Sequence, residues 1–264
     1  MNLGLNGKVA MIGGGSRGLG LAVARALAGE GAQVSIASRN PDAIKAAGAR
    51  IQQESGGQVL TFAADLASDT AIAEWHRATV DRFGPVDLLF TNSGGPPAGR
   101  VLDFDDAGWR AAFELLLLSV IRQVRLVVPS MQARGGGAIL MSTSSAVREP
   151  IANIALSNVV QGIGGRTGQN SGARTGGEHK IRVNQLVPGR IGTDRVREID
   201  EINAKKAGIS PDEQRQRSVS TIPLGRYGEP DDSGRMAAFL LSDAAAYITG
   251  ASVQVDGGLV RGLL

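Results

Sequence analysis

The stretch GGGSRGLG at residues 13–20 places Gly14, Gly18 and Gly20 in the spacing G-x-x-x-G-x-G. Glycines so spaced let a backbone approach a pyrophosphate, and a helix opening behind them offers free N–H groups and a positive dipole end. A mere flexible turn is the alternative, and context separates the two: a strand before the loop and a helix after it. The next telling residues are Ser38, Arg39 and Asn40, in IASRN. A chain that holds NAD usually has a carboxylate here, accepting from the ribose 2′-hydroxyl. This one has no acid. Arg39, helped by Arg17 from the glycine loop, offers a 2′-phosphate charge-assisted bonds of about 1.5–3 kcal/mol each. The cofactor expected is therefore NADP(H), held at this end by Gly14, Ser16, Arg17, Gly18, Leu19, Gly20, Ser38 and Arg39.

The elements that must position these residues alternate along the chain. KVAMI (8–12), QVSIA (33–37), QVLTFA (58–63), VDLLFT (86–91), AILMS (138–142), IRVNQLV (181–187) and SVQVD (252–256) read as strands. Residues 18–29, 41–55, 68–83 and 105–133 read as helices, with Pro41 at a helix start and Ser68 as an N-cap. Such alternation means right-handed βαβ units. The expected fold is α/β, a single Rossmann-type doubly wound parallel sheet of about seven strands with helices on both faces. No linker or composition shift divides residues 1–264, which read as one NADP(H)-binding domain.

Composition narrows the function. There are no cysteines, which excludes disulfides, thiolate-ligated zinc and thiol catalysis. The two histidines, His76 and His179, are too far apart for metal-ligand spacing and read as ordinary surface residues, so no metal is expected. A net charge of +3 without a basic stripe argues against nucleic acid. No apolar run of membrane-spanning length occurs, and MNLGLNGKVAMIGGG lacks the form of a signal peptide. A cytoplasmic protein with no membrane partner is the expectation.

Beyond the glycine loop, ADL (64–66), TNSGG (91–95), VNQLVPGRIGT (183–193), TIPLGRYGEPDD and ITGASVQVDGG are spaced from Gly7 to Gly258 as in one family. The chain resembles the short-chain dehydrogenase/reductases, particularly 3-oxoacyl-acyl-carrier-protein reductase-like members. The resemblance implies that Asp65 and Leu66 meet adenine, and that Asn92, Ser93 and Gly94 support the sheet and line the nicotinamide ribose. It also implies that Pro188, Gly189, Ile191 and Thr193 approach the nicotinamide carboxamide. In the family an Asn, a Ser and a Tyr-x-x-x-Lys pair do the chemistry: the Tyr is the general acid, and the Lys lowers its pKa and holds the ribose. Aligned on Trp109, the Asn position falls on Leu116 and the Ser position on Ser144. The Tyr position falls on Ile154 and the Lys position on Asn158, at a spacing from Ser144 about three residues shorter than usual. Asn158 is expected to keep a ribose hydrogen bond.

A positioned general acid contributes typically 10²–10⁴-fold, about 3–5 kcal/mol, and isoleucine supplies none of it. Ser144 as a hydrogen-bond donor and Arg148 as an electrostatic stabiliser are the remaining catalytic candidates. Three readings stay open: an NADP(H)-dependent reductase of a small carbonyl substrate, possibly 3-oxoacyl, by an altered mechanism; a non-catalytic NADP(H)-binding sensor or partner subunit; or an inactive chain. A charged helical stretch at about 193–222 is expected to form the substrate loop and to close as a lid. The apolar fourth helix suggests a homodimer or homotetramer.

One stretch contradicts the fold. Residues 161–180, QGIGGRTGQNSGARTGGEHK, should hold the crossover helix before the sixth strand, yet contain seven glycines, at roughly 1 kcal/mol each against alanine. Residues 169–177 can be coded by CAG AAC TCT GGC GCG CGA ACT GGC GGC. Read one base later, that string gives Arg-Thr-Leu-Ala-Arg-Glu-Leu-Ala, an amphipathic helix. Compensating frame slips are one explanation and a natural glycine-rich loop the other; resequencing the gene separates them.

Overall fold

The computed structural model describes residues 1–162 and 180–262. His179 and most of the glycine-rich stretch, with the frame-slip reading, lie outside the described residues.

Seven strands form one parallel sheet: β1 (Val9–Gly13), β2 (Gln33–Ser38), β3 (Val59–Ala63), β4 (Leu88–Thr91), β5 (Gly137–Ser142), β6 (Ile181–Pro188) and β7 (Ser252–Val255), in the order β3-β2-β1-β4-β5-β6-β7. Every residue of β1 and β4 is buried, as expected of strands covered on both faces. Helices α1 (Gly18–Gly29), α2 (Pro41–Ser55) and α9 (Pro230–Leu241) pack on one side, where Val23, Leu27, Ile44, Ile51, Ala237 and Leu241 close over Ile12, Val34 and Ile36. On the other side α3 (Asp69–Phe83) and α5 (Ser119–Ala133) bring Ile72, Trp75, Val127 and Met131 against Met11, Leu89 and Ile139.

Local signals act as their chemistry dictates. Asn40 caps α2 by accepting from the Ala43 N–H at 2.9 Å, with Pro41 next, and Ser68 caps α3 from the Ala71 N–H at 3.3 Å. The long helix expected over 105–133 is interrupted. It runs as α4 (Asp106–Phe113), a π turn over Glu114–Leu118, and α5. The π turn lets the Ser119 N–H reach back to the Glu114 carbonyl, a local widening that often marks functional sites. Helix α6 begins at residue 155 and is described to 162. Helices α7 (Asp194–Ala207) and α8 (Pro211–Ser220) then occupy the stretch expected to form the substrate loop. No helix among the described residues is long and apolar enough to cross a membrane.

Candidate functional site

The sheet order reverses direction between β1 and β4, the point where open α/β sheets bind ligands beyond the carboxyl ends of their strands. A cleft of about 1460 Å³ lies there, larger than the roughly 300–1,000 Å³ of common small-molecule sites and roomy enough for a dinucleotide with a second molecule.

The glycine loop forms its floor. Gly14 has φ +61°, and a Cβ on it would lie 2.5 Å from the Asn92 Nδ2. Gly20 lies beneath the loop rather than in the cleft; a Cβ there would meet the Gly14 carbonyl oxygen at 2.3 Å. Asn92 donates its Nδ2 to the Gly13 carbonyl at 3.2 Å, tying β4 to the loop. Ser16, Arg17, Gly18 and Leu19 line the cleft beside it, as do Ser93 and Gly94.

At the end of β2, Ser38 and Arg39 both face the cleft, and the Ser38 Oγ is buried with no hydrogen-bond partner. Buried hydroxyls are rarely left so, and this one fits a ligand that brings its own donor or acceptor. The nearby Asp65 accepts from the Ala67 N–H at 3.0 Å and lines the same wall with Leu66. Arg17 is mostly exposed and pairs with Asp194 at 3.3 Å, linking the glycine loop to the start of α7. The open glycine floor and the orphaned Ser38 hydroxyl fit a phosphate-bearing dinucleotide.

The far half of the cleft lies over β4, β5 and β6. Pro188, Gly189, Ile191 and Thr193 line it from the end of β6, and Thr193 also caps α7. Thr91, which sequence reading did not single out, points a buried, unpartnered Oγ1 from the end of β4 and lines the cleft. Ser144 accepts from the Ala146 N–H at 3.1 Å, which leaves its own hydrogen free to donate. Buried Leu116, in the π turn, also lines the cleft.

Two expectations are corrected here. Asn158 does not reach the cleft: its Nδ2 donates to the Ile151 carbonyl at 2.8 Å, and its Oδ1 accepts from the Ile151 N–H at 3.3 Å. Both ends of the amide are used in closing its own loop. Arg148 is exposed and lies outside the cleft. The residues of this region that do line it are Ile154, Ser157 and Gln161, with exposed Glu149 at its edge. Ser157 is 8% exposed with no hydroxyl hydrogen bond among the described residues, and the Gln161 Oε1 is buried without a partner. The signal that finds them is spacing. Restoring the three residues that the Ser144–Ile154 interval lacks leads to Ser157, and four more lead to Gln161.

Neither tyrosine enters. Tyr247 is fully exposed, while Tyr227 is buried and donates to Asp200 Oδ2 at 2.8 Å. Burial, the largest influence, pushes its hydroxyl above the usual range. Among the described residues that line the cleft there is no Tyr, His, Lys or Cys. The described residues also include no group of His, Cys, Asp and Glu placed to hold a metal.

Helix α7 is docked over this half. Arg195 donates to the Pro96 carbonyl, and Asn153 bonds Asn203 and Lys206 at 3.2 Å each. Burial lowers the proton affinity of Arg195, against the pull of Glu198.

A family model described as enoyl-(acyl carrier protein) reductase matches residues 14–260. The 7alpha-hydroxysteroid dehydrogenase of Escherichia coli K12 is 34% identical over 262 residues, 99% of this chain and 98% of that one. L-sorbose reductase from Gluconobacter frateurii, solved with NADPH and L-sorbose, superposes with a TM-score of 0.93 at 30% identity over the whole of both chains. A 7alpha-hydroxysteroid dehydrogenase solved with NADH and 7-oxo glycochenodeoxycholic acid gives 0.88 at 32% identity, covering 100% of this chain and 98% of that one.

Proposed function

The chain belongs to the short-chain dehydrogenase/reductase family, and from that premise we propose that it is an NADP(H)-dependent oxidoreductase reducing a carbonyl group of a small molecule, with 3-oxoacyl compounds among the candidates. Relatives solved with NADPH and with NADH both exist, so the choice of cofactor rests on this chain's own residues. The observation that carries it is the end of β2, where an unpartnered buried Ser38 hydroxyl stands beside Arg39 and no carboxylate competes. Bound there, the cofactor would supply a hydride.

The chain's residues do the rest. The glycine loop and the α1 N-terminus receive the pyrophosphate. Ser38, Arg39 and Arg17 receive the 2′-phosphate. Asp65 and Leu66 bound the adenine, and Pro188 to Thr193 bound the nicotinamide. Ser144 donates to the substrate oxygen, with the Ser157 hydroxyl on the same wall. Two neutral hydroxyls stabilise a developing oxyanion, and with no phenol beside them its proton comes from water. Helix α7 closes the cleft as a lid, and the chain assembles as a homo-oligomer.

The test is NADPH oxidation across β-keto thioesters, diketones and quinones, with Ser144→Ala alongside. Turnover that Ser144→Ala depresses by roughly ten- to a thousandfold supports the reading. A second reading, a non-catalytic NADP(H)-binding protein, is favoured by the lack of Tyr, His and Lys among the described cleft residues. Saturable binding with no turnover on the panel selects it.

A further inference from the structure

Arg195, on the first turn of α7, lines the far half of the cleft. Its guanidinium lies against the backbone at Gly95 and Pro96: a Cβ on Gly95 would stand 3.0 Å from the Arg195 Nε, and the Pro96 carbonyl accepts from Nη2. Gly95 does not have a positive φ, so what the glycine supplies there is room for this side chain. The Arg195 side chain is only 32% exposed, and the nearest carboxylate among the described residues, Glu198, stands 3.9 Å away and is itself 53% exposed. Most of the guanidinium's N–H donors are therefore unclaimed among the described residues. Other arginines of the cleft are matched more closely, Arg190 to Asp200 at 2.7 Å and Arg17 to Asp194 at 3.3 Å. Pro97, Ile154 and Ile199 line the cleft as well, and partly buried, apolar surroundings make a charge pair stronger than it is in water.

A planar fork of donors held on a cleft wall matches a carboxylate, which it can bind through two parallel hydrogen bonds. The cofactor's own anions lie elsewhere on the reading above, over the glycine loop and at the end of β2. The nicotinamide and its ribose, which would share the far half with the substrate, carry no anionic oxygen. We propose that Arg195 binds a carboxylate of the substrate, so that the carbonyl compound reduced is an oxo acid rather than a neutral ketone. The inference rests on the reductase reading above and names the class of its substrate.

Calorimetry on the complex with NADP⁺, which cannot reduce a carbonyl, tests this without turnover. The probes are pyruvate, acetoacetate and levulinate, each beside its amide, which keeps the shape and removes the charge. We expect wild type to bind at least one acid about ten- to a hundredfold more tightly than its amide. Arg195→Met removes the donors and should abolish that preference while binding NADP⁺ as wild type does; Arg195→Lys should keep part of it. A preference that survives in Arg195→Met overturns the inference, as does wild type that prefers no acid or binds none. So does NADP⁺ binding that weakens in Arg195→Met as much as acid binding, which would give the cation to the cofactor's diphosphate. Each of these outcomes leaves the NADP(H) reading standing. If Arg195→Met fails to fold, by circular dichroism, the acid–amide ratios of wild type and Arg195→Lys decide. Wild type that binds no NADP⁺ overturns both.

Discussion

At the scale of single residues, the proposed preference for NADP(H) rests on Ser38 and Arg39. Arg39→Ala removes a charge-assisted contact of about 1.5–3 kcal/mol, so its NADPH affinity should fall by roughly ten- to a hundredfold while NADH affinity stays level. Parallel titrations with the two nucleotides check this, and equal losses for both would contradict it. Much of this half was legible in the sequence, because glycine spacing, a strand end and a missing acid are local facts. The other half was not. A short interval after Ser144 puts the key positions on Ile154 and Asn158, but α6 begins only at residue 155 and brings Ser157 and Gln161 to the cleft beside Ile154, while Asn158 stays out of it. The length of a loop does not reveal which face of the following helix it presents, and Asn158 could be placed only once its bonds to Ile151 were seen.

The strands and helices themselves lie close to where periodicity and capping residues put them, since Asn40, Pro41 and Ser68 act within a turn of themselves. The π turn at Glu114–Leu118 was not legible, as its four leucines suit an unbroken helix equally well. His76 on α3 also differs from its expected surface role: it is half-buried, and its Nε2 has no partner. Burial lowers its pKa below the ordinary 6.5. As pH falls, the unfolded chain therefore takes up this proton before the folded one. The stability involved is present above about pH 6.5 and is lost as pH drops below it. His76→Gln should flatten the fall in melting temperature between pH 7 and pH 5. A wild-type profile no steeper than the variant's would refute the assignment.

For the whole molecule, one parallel sheet places the glycine loop, the Ser144 turn and the α7 cover around one cleft. Outside the cleft, Leu102 is 95% exposed, and Val101, Phe113 and Val159 are about half exposed. Apolar side chains left in water near α4 and α6 suit a face covered by another copy. Light scattering at micromolar protein should give the mass of a dimer or tetramer, and a monomer mass at every concentration would remove that expectation. Ligand linkage acts on the molecule as a unit: NADPH at a hundred times its dissociation constant should stabilise the fold by about 2.7 kcal/mol, read as a rise in melting temperature.

The most direct test of the central claim, a cleft built for NADP(H), is calorimetric titration of one preparation with NADPH and with NADH. Ser38 and Arg39 predict saturable NADPH binding, tighter than NADH by about tenfold or more. NADH binding as tightly as NADPH, or neither binding, would contradict it.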